Sequence, residues 1–382
     1  MNQSGRNSCT GKSGTVVIKI GSSSLANEET GQVKLQVLSA LVDVICNLKT
    51  RGYNVVLVSS GAVGLGQLTM GMTERPSSTA GKQALAAIGQ GKLMSVYDSL
   101  FGYFNVKVAQ VLLSRPDLSD KYRFNRVKNT MSELFNLGVI PILNENDTLT
   151  VEQELVFGDN DSLSAMVSAL VEADWLFLMT DVDGLYDTNP HTNPDAQRLK
   201  RVSSFSDLEV VTEGSSSKFG TGGMATKLNA ARMSTACGCH CVITNASTPE
   251  DILTIMDGGD KGTLFEPKDN PVTVQKRFLT YGAMVKGKVF VDAGAERAIA
   301  KKCNLFPSGI TSVEGDFETE SVVSVIGPKG ADLGQGIVNY SSEQIEMIKG
   351  HQSEDIHDIL GFDNEDYVID RDVLAVNPHC IH

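Results

Sequence analysis

The stretch "TVVIKIG", residues 15–21, is a short run of β-branched residues that stops at glycine, and it reads as a buried strand. The period then changes. Val37, Leu41, Val44, Ile45 and Leu48 recur at three- and four-residue spacing, the apolar face of a helix. "YNVVLVSSG" (53–61) returns to a strand and closes on Ser-Ser-Gly. Working outward, the spacing predicts helices over 78–101, 122–136 and 161–172, with strands at "VKVAQVLL" (106–113), "GVIPIL" (138–143) and "WLFLMT" (175–180). A further helix opens at "FGTGGMATKLNAA" (219–231), and "CVITN" (241–245) is the next strand. Strands that alternate with helices make crossover units, so the pattern predicts an α/β fold: a mainly parallel sheet with helices on both faces.

Ligands of such sheets sit beyond the carboxyl ends of the strands. Those ends read Gly21-Ser22-Ser23, Ser59-Ser60-Gly61-Ala62, Asn144-Glu145-Asn146-Asp147, Thr180-Asp181 and Asn245. Any one set is ordinary loop chemistry, but together they line one edge with small, amide and carboxylate residues. "FEPKDNPVT" (265–273) has the composition of a linker. Beyond it short strands, "KVFVD" (288–292), "SVVSVI" (321–326) and "QGIVNYS" (335–341), alternate with turns. The organisation expected is a polar arm without fixed structure at 1–14, an α/β domain at 15–265 and a small β-rich domain at 271–375.

The 382 residues carry a net charge of −13, against the basic excess of a dedicated nucleic-acid binder. The second region alone holds 10 Lys/Arg against 17 Asp/Glu, a net of −7. No apolar run reaches the length of a membrane helix, and the polar start lacks the apolar core of a signal peptide. The seven cysteines fit reduced thiols in a cytoplasmic protein. Cys237, Cys239 and Cys241 with His240 lack the spacing and the partner cluster of a zinc site, so packing accounts for them. "TGKS" (10–13) resembles the end of a P-loop, but Arg6 stands where its first glycine belongs.

Two glycine loops carry lysines. Gly220, Gly222 and Gly223 precede a helix with Lys227 on its first turn, and Lys19 ends the first strand ahead of Gly21. Unpaired N–H groups at a helix start attract anions, and glycine lets a phosphate approach the backbone. Two such loops on one edge point to a polyphosphate. "LNENDTLTVEQELVFGDNDSLSA" (143–165) adds two acid–amide clusters. Helix capping accounts for one residue of the second, Asn160 being a candidate. The remaining acid and amide groups suit the ammonium of an amino acid. No histidine lies in these loops, which fits a nucleophile that is already ionised, such as a carboxylate of pKa ~4.

The series "VVIKIGSSSL", "VVLVSSGAVGLG", "PILNENDTL", "FGDNDSLSA", "TDVDGLYDTNP" and "GTGGMATKLNAA" resembles, in this order, the motifs of the glutamate 5-kinases of the amino-acid kinase family. The region from "KRFLTYGAMVKGKVFVDAGA" to "GIVNYSSEQIEMIKG" resembles the PUA domain attached to many of them. The likeness spans about 15 to 375. It implies a three-layer α/β/α sandwich and the reaction ATP + L-glutamate → L-glutamyl 5-phosphate + ADP, with Mg²⁺, the first step of proline biosynthesis. It implies that Lys19 and Lys227 hold the ATP phosphates, that Asp161 orients both lysines, and that Ser60, Asp147 and Asn160 contact glutamate. Thr180, Asp181 and the loop Thr221, Gly222, Gly223, Met224, Ala225, Thr226, Lys227 are implied to contact ATP. No protein ligand of magnesium is implied. A homo-oligomer (dimer or tetramer), inhibition by proline and hand-over of the product to glutamyl phosphate reductase are the further expectations. The chain departs from many bacterial members at Val182-Asp183, where glutamine commonly follows Thr-Asp. Aspartokinase and N-acetylglutamate kinase are the rival chemistries. The acidic group at Asp147 disfavours an acetylated substrate, and the charge of the second region disfavours RNA binding.

Overall fold

In the computed structural model the described residues are 14–25, 33–149, 160–188, 195–205, 223–267, 285–301, 303–362 and 365–377, with Asn193 and Leu208. They divide into two compact units, one drawn from residues 1–114 and 128–271, the other from 115–127 and 272–382. All of the expected arm at 1–14 except Gly14, and most of the expected linker, lie outside the described residues.

The chain of the first unit runs β1 (Thr15–Ile20), α1 (Ser22–Leu25), α2 (Leu35–Thr50), β2 (Asn54–Ser59), α3 (Ala62–Thr69), α4 (Thr79–Gly102) and β3 (Val108–Leu113). After α5 (Arg115–Ser119), which is grouped with the second unit, and α6 (Lys121–Asn136), whose residues 121–127 are grouped there too, come β4 (Ile140–Glu145), α7 (Asn160–Leu170), β5 (Trp175–Thr180), β6 (Arg201–Val202), α8 (Gly223–Ala236), β7 (His240–Asn245), α9 (Asp251–Met256) and β8 (Thr263–Phe265). All six residues of β1 are buried, as in a strand covered on both faces. Alternation divides them. Val16, Ile18 and Ile20 join Leu38, Leu41 and Ile45 of α2 in one core, with Leu93 and Tyr97 of α4. Val17 and Lys19 face the other way, toward α7, which packs on β1 and β5 and against α8.

The strand order is β3-β4-β2-β1-β5-β7-β8-β6. The first six strands are parallel. β8 runs antiparallel to β7, and β6 pairs parallel to β8. The alternation of sequence patterns announces the parallel part. It does not announce α3, α9 or the reversed edge strands, which are too short for a period to show. From β1 the chain moves to β2 on one side, whereas from β5 it moves outward on the other. The crevice beyond the carboxyl ends of β1 and β5 is therefore a topological switch point, where open α/β sheets bind ligands.

The second unit holds a five-stranded sheet. Its elements are β9 (Val285–Val291), α10 (Ala293–Ala300), β10 (Ile310–Glu314), β11 (Val322–Ile326), β12 (Asp332–Val338), α11 (Ser342–Ile348), α12 (Ile356–Leu360) and β13 (Ile369–Val376). The order is β10-β9-β11-β12-β13, antiparallel except for the β9–β11 pair. Val289, Val291, Val323, Val325, Tyr340 and Ile345 build its core. Asp292, which ends the expected strand "KVFVD", instead caps α10, its Oδ1 accepting from Ala295 N at 2.7 Å. Ser341 and Gln344 form a capping box at α11. Among the described residues no helix is long and apolar enough to cross a membrane.

Candidate active site

Lys19 is the fifth residue of a buried strand, so its side chain must find a charge partner or be expelled. Its partner is Asp161, the second residue of α7, with Nζ 2.6 Å from Oδ1. Lys227, on the first turn of α8, places its Nζ 3.1 Å from Oδ2 of the same carboxylate. Thr226 donates its hydroxyl to that oxygen at 2.9 Å. The Asp161 side chain is 2% exposed, that of Lys19 8% and that of Lys227 11%. Burial pushes the Asp161 carboxyl up, but the Lys19 and Lys227 ammoniums and the bonds from Lys19 and Thr226 outweigh it and hold the group below the usual carboxylate range. Two ammoniums share one carboxylate, so this buried cluster keeps one positive charge in excess. An anion arriving at the switch point would neutralise it.

A second, mostly neutral wall adjoins the first. Asn160, the first residue of α7, sends its Nδ2 to Ser59 O at 3.0 Å, to Ser60 Oγ at 2.7 Å and to Asn144 Oδ1 at 3.0 Å. Asn144, at the end of β4, donates its own Nδ2 to Gln90 Oε1 of α4 at 2.9 Å, and its Oδ1 also accepts from Glu145 N at 2.9 Å. Helix capping uses a side-chain oxygen. The amide nitrogen of Asn160 ties the ends of β2 and β4 together, which the capping expectation does not anticipate. Asp147 lies beyond this network; burial pushes its carboxyl up, and the Arg75 guanidinium pulls it partly back.

Both walls line one cavity of about 1270 Å³. That exceeds the space one small ligand fills and leaves room for two substrates. The cavity gathers Lys19, Ser60, Asp147, Asn160, Asp161, Thr180, Gly223, Thr226 and Lys227. Gly21 and Ser22 to Ser24 line it as well. Of the other residues singled out from sequence, Asp181 is exposed and accepts from Thr180 Oγ1 at 2.9 Å. Asp181, Met224 and Ala225 are not among the lining residues, and Thr221 and Gly222 lie outside the described ones. At the departure from the common motif, Asp183 Oδ1 accepts from the Tyr186 hydroxyl at 2.7 Å. Cys237, Cys239 and Cys241 are buried and form no disulfide, and the His240 ring stacks on Trp175 at 4.6 Å.

The glycines divide by function. At Gly66 an added Cβ would lie 1.9 Å from Leu85 O, and at Gly89 1.7 Å from Ala62 O, so these two let α3 and α4 approach closely. At Gly223 nothing among the described residues lies within 4 Å of such a Cβ. None of them requires that glycine for packing, whereas an approaching phosphate would. Arg75, which lines the cavity, and Gln90, which stands behind Asn144, are the residues that sequence reasoning missed. Arg75 stands alone in a turn-rich stretch with no local signal. Gln90 had one: it interrupts the apolar stripe Ala86, Leu93, Tyr97 and Phe101 of α4.

Residues 14–245 match the profile of the Amino acid kinase family, and residues 287–360 match that of the PUA domain. A glutamate 5-kinase of Synechococcus sp. (strain JA-3-3Ab) is 48% identical over 95% of this chain and 98% of its own length. The glutamate 5-kinase of a Synechocystis species is 48% identical over 95% and 97%, and that of Trichormus variabilis 47% over 95% and 99%. A lysine-flanked carboxylate at the switch point of a mainly parallel sheet thus coincides with a profile that covers more than half of the sequence, and the chain belongs to the amino acid kinase family, with a PUA domain following the kinase region.

Proposed function

We propose that the chain is an ATP-dependent glutamate 5-kinase: it transfers the γ-phosphoryl group of ATP to the side-chain carboxylate of L-glutamate, giving L-glutamyl 5-phosphate and ADP. The observation that carries the reading is the pairing of two walls in one cavity, a lysine–carboxylate–lysine cluster with excess positive charge beside an acid–amide wall. The 48% identical relatives named glutamate 5-kinase support the choice of acceptor. In the reaction a glutamate carboxylate oxygen forms a bond to the γ-phosphorus while the bond from that phosphorus to the β–γ bridging oxygen breaks. No proton must be removed, because a carboxylate of pKa ~4.3 is ionised at neutral pH. The barrier is then lowered by positioning and by neutralising charge on the transferred group.

Lys19 and Lys227 supply that neutralisation. Asp161 is no base: its carboxyl is held below the usual range and both oxygens face lysines, so it fixes the two ammoniums in place. Ser60, Asp147 and Asn160 receive glutamate, while Thr180, Asp181 and the 221–227 loop receive ATP. Magnesium enters with the nucleotide, held by phosphates and water. Catalysis is assigned to 15–265, with 271–375 as an accessory PUA domain that does not act on RNA. The same proposal includes a cytoplasmic homo-oligomer serving the first step of proline biosynthesis. In it proline inhibits at the glutamate wall, and the product passes to glutamyl phosphate reductase.

The deciding assay is coupled ADP release with glutamate, aspartate and N-acetylglutamate side by side. Glutamate-dependent ADP release, with the other two at least tenfold slower, is expected. Equal turnover of N-acetylglutamate would assign the wall a neutral amide in place of an ammonium and overturn the reading.

A further inference from the structure

We infer that Gln90, which does not line the cavity, holds the hydrogen-bond polarity of the substrate wall in place through Asn144, so that Asn160 offers an acceptor and Ser60 a donor to the amino-acid substrate. The inference rests on the glutamate reading and adds a positioning residue to it. Two backbone groups settle the orientation of the amides. Glu145 N–H can only donate, so the Asn144 atom 2.9 Å from it is Oδ1. Ser59 C=O can only accept, so the Asn160 atom 3.0 Å from it is Nδ2. These two assignments agree where the side chains meet, Asn160 Nδ2 donating to Asn144 Oδ1 at 3.0 Å.

The rest follows by exclusion. With its oxygen committed, Asn144 turns an NH₂ group toward α4. Asn144 is 3% exposed, so that donor needs an acceptor in the protein. Gln90, itself 8% exposed, provides Oε1 at 2.9 Å. At the other end Asn160 Nδ2 has two hydrogens and three acceptors within bonding distance, so it has none left for a ligand. Its Oδ1 accepts no hydrogen bond among the described residues. Ser60 Oγ already accepts from Asn160 at 2.7 Å, which leaves its hydroxyl proton to donate. Both Asn160 and Ser60 line the cavity. An ammonium meets an amide oxygen there, and a carboxylate meets a hydroxyl. Without the Gln90 acceptor, Asn144 holds a buried unpaired donor. Rotating Asn144 away relieves it and frees Asn160 to turn.

The test measures kcat and KM for glutamate, at saturating ATP, in wild type, Gln90→Met, Gln90→Glu, Asn160→Ser and the Gln90→Met/Asn160→Ser pair. Gln90→Met removes the acceptor at similar volume. Its glutamate KM should rise about ten- to hundredfold, the scale of one buried donor left unpaired, while its kcat and ATP KM stay within about threefold of wild type. Gln90→Glu keeps an acceptor and should restore the glutamate KM to within about threefold. In the Asn160→Ser background Gln90→Met should add little, since both changes cut one chain. A KM for glutamate unchanged by Gln90→Met, a Gln90→Glu protein as impaired as Gln90→Met, or effects that simply multiply in the pair would each overturn the relay. Should Gln90→Met not fold, Gln90→Asn withdraws the acceptor by one methylene and must raise the glutamate KM, an unchanged value again overturning the idea. A wild type that releases no ADP with glutamate fails at the first measurement and overturns the functional reading itself, and the relay with it.

Discussion

At one end of the cavity Lys19, Asp161 and Lys227 bring three formal charges into contact at 2.6 and 3.1 Å. At the other, Gln90, Asn144, Asn160 and Ser60 are joined by neutral hydrogen bonds of 2.7 to 3.0 Å. The carboxylates of the two ends respond oppositely to burial. Asp161 is held below the ordinary range by its ammoniums, whereas Asp147, whose desolvation the Arg75 guanidinium opposes, is pushed above it. On the proposed reading, the difference lets one cavity take two unlike ligands. A polyanion would meet cations that a carboxylate has fixed beforehand. An amino acid, which carries both signs within a few bonds, would meet donors and acceptors of set direction and one poised charge.

The largest effect should come from breaking the charged end. Lys227→Ala and Lys19→Ala should each lower kcat by about 10²–10³-fold, the loss typical of one donor to a developing transition-state charge, with the folded circular dichroism signal kept. Near-normal turnover in either variant would remove the cluster from catalysis. Breaking the other end should act on binding instead. Asp147→Ala should raise the glutamate KM about thirtyfold, near 2 kcal/mol, because half-buried charge pairs lie at the low end of the measured range. The ATP KM should not move, and proline, if it inhibits, should weaken in parallel. A rise confined to the ATP KM would place Asp147 on the nucleotide side.

A third change probes the scaffold beneath both ends. Gly66→Ala drives a methyl toward Leu85 O, a backbone atom that cannot step aside, and should cost about 1–3 kcal/mol of stability by denaturant unfolding. Gly64→Ala, whose Cβ meets nothing within 4 Å among the described residues, should leave stability unchanged. Equal melting of the two proteins would refute the close α3–α4 approach.

The smallest effect is the separation of the two ends by pH. Asp147 is raised, so it takes up a proton at a higher pH than an ordinary carboxyl. The glutamate KM should therefore climb as pH falls through that value while kcat at saturation holds. For stability the signs oppose each other. The Asp161 contribution is complete above its ordinary 3.8 and is lost as pH falls through its lowered folded value. Asp147 resists ionisation in the folded protein, so its penalty is relieved as pH falls through its raised value. A kcat that declines together with the rise in KM would show that the ends are not independent.

The strands and long helices of the first unit are legible in the sequence because burial of a face is a local, periodic property: Val16, Ile18 and Ile20 declare one side of β1 whatever lies beside it. The glycine loops and the clusters at strand ends are legible for a similar reason, since helix starts and turns demand particular residues locally. Sequence alone thereby determined the α/β class, the strand-end edge that lines the cavity and most of the ionisable groups gathered there. The tertiary structure decided which of these groups meet. Lys19 and Lys227 converge on Asp161 only because β1 lies between β2 and β5 and α7 packs against α8, an order no local period encodes. Likewise Gln90, a polar residue in an apolar stripe, reads as an anomaly until Asn144 is placed against it at 2.9 Å. The physical reason is the same in both cases. Apolar burial is non-directional and is written residue by residue, whereas ion pairs and hydrogen bonds need two partners at a set distance, and the strand order supplies that distance.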